Sequence, residues 1–290
     1  MKTRILFFAV ALFTIVSCGG PKVLVNYRKN AEQAEVAGNY EKAVVAWNNY
    51  FEEAELEEIE GAEYARAAKT AYKAGMNQQA EDWFDQARYK DYADADMYFI
   101  LADIYDGRDN ISKELDALEF YVDNFEKNNA KVNKRLFEIY NEIGMTEKAL
   151  KSWNRINPNS INSANFLEKY FVIQKKLDNK EIADSVSLEL LEMDPNHVGA
   201  LEWNAMKYYW QAENRYRREM DKYEQNHTRT QYRKLLKQLD LVTADLKKAL
   251  SYFEKLWELE PGKKYAPYMA NIYTRFDEDD KAAYYKKYVE

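Results

Sequence analysis

Two apolar patterns run along the chain. The first is local: Ile5 to Val16 are twelve nearly unbroken apolar residues behind a short basic start, Lys2 and Arg4. The second is periodic. Ala43, Ala80, Ala117, Ala149, Ala183, Ala249 and Ala282 recur in similar contexts at spacings of 37, 37, 32, 34, 66 and 33 residues, the 66 being about two periods. Four residues after five of these alanines stands an aromatic: Trp47, Phe84, Tyr121, Trp153 and Phe253. That offset puts each pair on one helix face. Gly38, Gly75 and Gly144 come five residues before three of them, where glycine suits a tight turn between two helices. Pro195 and Pro261 follow Ala183 and Ala249 by twelve residues, and Pro158 comes slightly early in its own repeat; proline stops a helix. The pattern predicts repeated helix pairs. The small residues let neighbouring helices approach, and the aromatics fill the groove between them. No such pair buries its apolar face alone, so the array is the folding unit.

One repeat is interrupted. The sixth opens at Val198 and carries Tyr208, but its Ala249 arrives about 32 residues late, and the intervening stretch has no Gly or Pro. Ala205, Ala212, Tyr216, Met220 and Tyr223 form one helical stripe; Leu235, Leu239, Val242, Leu246 and Leu250 form its counterpart. A turn at Asn226-His227-Thr228 joins them, and Thr228 with Gln231 fits a capping box. The expected result is two helices of about 28–32 residues, on the order of 45 Å long against about 20 Å for an ordinary repeat helix. Their excess projects as a hairpin. Arg215, Arg217, Arg218, Arg229, Arg233 and Lys234 make this arm basic. It reads either as a solvated hairpin without a partner or as a contact arm for a protein or for acidic headgroups. An insertion that keeps helical phase on both arms favours the contact arm.

Composition narrows the function. Lys and Arg total 42 and Asp and Glu 49, for a net charge of −7, which argues against a nucleic-acid binder. Nine Gly and five Pro are too few for the turns of an all-β sandwich of this length. One Cys and two His exclude an internal disulfide and a four-ligand Cys/His zinc site.

The apolar run at the N-terminus is too short to span a bilayer, which takes roughly 20 residues, so it reads as a signal-peptide core. The lone cysteine stands just beyond it, in Ile15-Val16-Ser17-Cys18-Gly19-Gly20. This resembles a bacterial lipoprotein signal, cut before the Cys, whose sulfur and new amino group are acylated. Removing residues 1–17 leaves 273 residues at net −9, since two cations go with them. Gly19 is not the Asp that retains such proteins at the inner membrane, and no acidic run follows as in some surface-export signals. The resemblance therefore implies an outer-membrane lipoprotein facing the periplasm.

The repeats resemble the tetratricopeptide repeat (TPR), and the chain is similar to TPR lipoproteins of bacterial envelopes, Bacteroidetes-like ones among them. Gly38-Asn39-Tyr40-Glu41-Lys42-Ala43 with Trp47, Tyr140 to Gly144 with Ala149 and Trp153, and Leu190 to Asn196 followed by Ala200-Leu201 carry the likeness. It implies an all-α solenoid of helical hairpins, about six repeats plus a partial C-terminal capping repeat, with one elongated, projecting pair. The expected division is a signal peptide over 1–17, a lipidated flexible lead over 18–22 and repeats 1–5 over 23–197. The sixth repeat, with its hairpin at about 210–245, spans 198–261, and the capping repeat 262–290. Repeats two, three and five fall at about 61–90, 95–125 and 164–195. TPR proteins usually bind peptides on the face lined by the first helix of each repeat. By phase that face includes Arg28, Glu32, Glu35, Lys69, Tyr72, Phe99, Asp103, Lys134, Glu138, Asn141, Lys175 and Tyr209. The family's clamp of asparagines, lysines and an arginine for a C-terminal carboxylate is not present.

No phosphate loop, HExxH or GxSxG occurs. His197 sits at a repeat junction and His227 at the hairpin tip, neither with a nucleophile nearby in sequence. Asp277 to Asp280 reads as charge favouring the N-terminus of the last helix rather than as a metal site. The glutamates from Glu52 to Glu63 read as a solvated junction. Asp184-Ser185-Val186 resembles a short O-glycosylation motif of some Bacteroidetes, but lies on an expected helix. The chain is expected to be no enzyme and to need no cofactor, metal or small-molecule substrate. It reads as a lipid-anchored scaffold for protein partners in an envelope complex. The alternatives are an accessory lipoprotein of a SusD-like glycan-uptake system or a subunit of a barrel-assembly or secretion machine.

Overall fold

The computed structural model describes residues 21–289; the candidate signal peptide and Cys18 lie outside them. Among the described residues are fourteen α-helices, one 3-10 turn and no strand. The helices form seven consecutive antiparallel pairs. They are α1 (Pro21–Val36) with α2 (Tyr40–Glu53), α3 (Gly61–Lys73) with α4 (Asn77–Tyr89), α5 (Ala95–Asp106) with α6 (Ile111–Asn124), and α7 (Ala130–Glu142) with α8 (Thr146–Trp153). Then follow α9 (Ala164–Lys176) with α10 (Lys180–Met193), α11 (Val198–Gln225) with α12 (Arg229–Leu259), and α13 (Ala266–Arg275) with α14 (Asp279–Lys286). Residues 21 and 22, expected in the flexible lead, are the start of α1. The chain divides into two compact units after Ile156, inside the run 23–197 that the sequence reading treats as one block. The first unit holds four hairpins, the second three.

A single turn chemistry closes six of the seven hairpins. Two or three positions past the end of the first helix stands a residue with positive φ: Gly38, Gly75, Asp109, Gly144, Asp178 and Asp277, all between 53° and 76°. The next amide donates five residues back, as from Asn39 to Ala34 at 2.9 Å, from Asn110 to Tyr105 at 2.9 Å and from Glu278 to Tyr273 at 3.0 Å. This is the Schellman closure, which satisfies carbonyls left open at a helix end. Aspartate tolerates the left-handed region better than most side chains, so three turns form without glycine.

Five residues beyond each such turn lies a buried slot on the second helix. Ala43, Ala80, Ala149, Ala183 and Ala282 fill it at 0–1% exposure, and Ala249 is equally buried on α12. In the α5/α6 hairpin the slot is not Ala117 but Glu114, 2% exposed; Ala117 is three residues, nearly one turn, further on. Trp47, Phe84, Phe137, Phe171 and Phe253 are at most 1% exposed and fill the grooves. Trp153, expected there too, is half-buried, its ring 5.1 Å from Phe137. These turns, slots and grooves give each unit an all-α TPR fold.

The sixth hairpin is elongated as expected: 28 residues in α11 and 31 in α12. The turn is at 226–228, and the Thr228 side chain accepts from the Gln231 amide at 3.2 Å. With the turn displaced to the tip, Ala249 has no turn five residues before it.

Candidate protein-binding surfaces

In the first unit, the face formed by the first helices is closed by its own charges. Arg28 pairs with Glu32 at 3.5 Å and with Glu63 at 2.7 Å. Arg66 of the second hairpin reaches back to Glu32 at 2.8 Å and Glu35 at 2.7 Å, and Glu35 also accepts from Trp47 and Thr70. Lys69 pairs with Asp94 at 2.8 Å and Asp96 at 3.3 Å; burial works against its charge, but those carboxylates win and raise its pKa. The Tyr72 hydroxyl donates to Asp103. Lys131 lies 4.5 Å from the centre of the Phe99 ring. Lys134, Glu138 and Asn141 are half-buried on α7.

Phe99, Asp103 and Lys131 edge a small cleft of about 120 Å³ whose floor carries Glu114 and Arg135. Arg135 clasps Glu114 with two hydrogen bonds, 2.5 and 2.8 Å, and reaches Asp106 at 2.6 Å. Those bonds raise the guanidinium's pKa further above its ordinary value, against the effect of burial. A neighbouring set surrounds Glu81, which accepts from Tyr105, Arg108 and Lys113. Burial pushes the Glu81 carboxyl up, but the bonds from Lys113, Arg108 and Tyr105 outweigh it and hold it at about 2. Arg28 with Glu32 and Tyr72 with Asp103 thus join two residues chosen by phase, while Glu32, Glu35, Lys69 and Phe99 are met by side chains outside that set, Arg66, Asp94, Asp96 and Lys131.

The second unit differs. Lys175 lies 4.9 Å from the centre of the Phe171 ring. Tyr209 is corrected: it is 8% exposed, with rings of Trp210, Phe253 and Tyr268 against its own, and is core. The open site is one helix face away, a cleft of about 430 Å³ lined by Lys180, Asp184, Trp203, Met206, Lys207 and Trp210. Asp184 fixes it by accepting from Trp203 at 2.8 Å and pairing with Lys207 at 2.9 Å, while Trp210 is 46% exposed. Asp184 therefore has a structural task besides its place in the glycosylation-like tripeptide. The periodic pattern in the sequence places aromatics in the grooves between helices. The signal it missed is that Trp203 and Trp210 are seven residues apart, with Met206 between them on the same face, on the side of α11 away from Leu201, Ala205 and Ala212.

At the base of the arm, Arg215 pairs with Asp245 across the hairpin, so it is a clamp between the arms rather than a free contact. Arg275 pairs with Glu213 at 2.7 Å and lies 4.4 Å from the Tyr216 ring. Further out, Arg218 and Lys222 both engage Glu219. Arg217, Arg229, Arg233 and Lys234 are exposed and have no ion pair among the described residues. His197 accepts from the Ala200 amide at 3.2 Å as the cap of α11, and the exposed His227 packs against Tyr223 at 5.0 Å. Asp279 and Asp280 lie in the first turn of α14. No helix among the described residues is long and apolar enough to cross a membrane.

No family model matches the chain, and no curated protein does. Among solved structures, a TPR protein from Parabacteroides merdae is 12% identical over 91% of each chain, with a TM-score of 0.45. The C-terminal part of a TPR repeat-containing protein from Cytophaga hutchinsonii is 15% identical over 91% of this chain and 93% of that one, at 0.42. YrrB, described as a TPR protein with an unusual peptide-binding site, is 17% identical over 62% of this chain and 90% of its own, at 0.47. The repeat architecture stands on its own turns and buried slots, not on these likenesses.

Proposed function

We propose that the protein is a non-catalytic scaffold that holds protein partners in a bacterial envelope complex, tethered by lipid on Cys18 to the periplasmic face of the outer membrane. The observation that carries partner binding is the Trp203–Met206–Trp210 cleft. A half-exposed Trp beside a second Trp, a Met and a fixed Lys–Asp pair has the composition of an interface centre, where aromatic and Met side chains are enriched. On the first-helix face of the first unit, Arg28, Glu32, Glu35, Lys69 and Asp103 already have partners within the unit. The tether is supported by the sequence around Cys18 and by the absence of a second cysteine.

The test is crosslinking in intact cells followed by purification of the tagged chain. Wild type is expected in the membrane fraction with discrete partners. Cys18→Ala is expected to leave the membrane fraction while remaining helical, and Trp210→Ala to stay at the membrane and lose a partner. A Cys18→Ala chain that stays membrane-bound after a high-salt wash removes the tether. A Trp210→Ala chain that keeps every partner removes the cleft.

A further inference from the structure

We infer that the tip of the α11/α12 arm docks on the acidic α2–α3 connection of a second copy of this chain. The inference rests on reading the arm as a contact surface and names its occupant. Residues 214–241 carry eight basic and four acidic side chains, net +4. Residues 1–156 carry 20 basic and 27 acidic, net −7, which is the whole net charge of the protein.

The tip gathers cations that have no carboxylate partner among the described residues. Arg229, Arg233 and Lys237 follow one another at four-residue spacing on the outward face of α12, all exposed and all without an ion pair among the described residues. Like charges at that spacing repel and weaken a helix. In the first unit every described arginine except Arg155 has a carboxylate. Beside the cationic row, Tyr232 and Leu236 are 47% and 45% exposed. The face thus presents an apolar centre edged by unneutralised cations.

The complement is on the same chain. Between α2 and α3, Glu53, Glu55, Glu57 and Glu58 are exposed and have no ion pair among the described residues, and Leu56 stands among them at 62% exposure. Cations meet anions and Tyr232 and Leu236 meet Leu56. An anionic bilayer would attract the tip but repel the acidic first unit, so a second copy fits the charge distribution better. Each copy offers both surfaces, and such a head-to-tail contact propagates unless it closes into a ring.

The experiment is sedimentation velocity of the purified full chain in mild detergent at rising protein concentration. Two charge-reversed variants are compared, Arg229→Glu/Arg233→Glu/Lys237→Glu and Glu55→Lys/Glu57→Lys/Glu58→Lys. All changed side chains are exposed, and circular dichroism confirms retained helix. Wild type is expected to assemble, and its association to weaken tenfold or more between about 50 and about 500 mM salt, as screening of exposed charges requires. Each variant alone is expected to remain monomeric, and an equimolar mixture to assemble again, because the reversed tip then meets the reversed loop. Wild type that stays monomeric, a tip variant that still assembles, or a mixture that does not recover overturns the inference. Monomeric wild type that binds phosphatidylglycerol nanodiscs through the same three cations overturns it in favour of a lipid surface. These outcomes require no envelope partner, so they are independent of the crosslinking result.

Discussion

The α5/α6 and α11/α12 hairpins are built alike and use charge in opposite ways. In α5/α6, Glu114 is buried in a slot that is alanine elsewhere and is met by Arg135 from the next hairpin. Tyr105 and Arg108 reach back to Glu81 of the previous one. In α11/α12, charges near the base are paired, Arg215 with Asp245 and Glu213 with Arg275, while Arg217, Arg229 and Arg233 beyond them are not. What decides is whether a neighbouring hairpin stands alongside. Where hairpins stack, a charge must find a partner or bear the cost of burial. Where one hairpin outruns its neighbours, water solvates the charge, which stays open to a contact from outside the chain.

Breaking the stacked side has the largest expected effects. Trp47 is fully buried and donates to Glu35 at 2.8 Å. Trp47→Ala is expected to cost about 3–5 kcal/mol, the range for truncating a core aromatic, measured by urea denaturation. Trp153→Ala should cost clearly less, because that ring is only partly buried; equal costs would show that groove position, not burial, sets the energy.

Glu114→Ala puts the usual small residue in its slot but strips Arg135 of its main partner. A loss of about 1–3 kcal/mol is expected, the cost of a group left without its bond. Adding Arg135→Met should restore most of it. If the double variant is no better than the single one, the pair is not what Glu114 contributes.

The Glu81 carboxyl sharpens the same point through pH. Its folded pKa of about 2 lies below the ordinary glutamate value. The stability it lends is therefore complete above about pH 4.3 and is lost as the pH falls through that value toward about 2. Glu81→Gln should flatten the dependence of the thermal midpoint in that window and leave the profile above it parallel to wild type. An unchanged acid limb would assign the loss to other carboxylates.

The smallest effect is expected on the projecting side. Replacing residues 218–241 with a short Gly-containing turn keeps the Arg215–Asp245 pair and the Arg275 contact with Tyr216. Because solenoid units depend mainly on their neighbours, the remaining protein should lose no more than about 1 kcal/mol. A chain that fails to fold would show that the tip supports the body, and the contrast between the two hairpins would collapse.

The architecture was legible because its rules are local. A small residue, an aromatic four positions on and a turn residue five before are visible in one dimension, and the length of the arm followed from helical phase continuing without Gly or Pro. Three turns lacked their expected mark because Asp109, Asp178 and Asp277 take the left-handed conformation that glycine alone was used to find. Glu114 is invisible to a search for recurring alanines, because a charged residue contradicts the slot's composition. Only the next hairpin, through Arg135, resolves the contradiction, and periodicity within one hairpin does not contain it. Whether the candidate face is open was not legible, since which cation reaches which carboxylate depends on stacking. Tyr209 and Trp210 show the limit most directly: adjacent residues on an aromatic-rich helix, one core and one surface, separated by a rotation of about 100°.

The Glu114–Arg135 pair has a consequence for how the chain finds its order. Hairpins this similar could stack on the wrong neighbour while folding, a characteristic failure of repeat proteins. Alanine slots accept any partner of suitable shape. A buried carboxylate does not, because beside any hairpin that lacks an arginine at the position of Arg135 it would be desolvated with nothing to neutralise it. One exception to the repeat pattern thus distinguishes the true neighbour of α5/α6 from its near-copies, and serves as an address within an otherwise degenerate code.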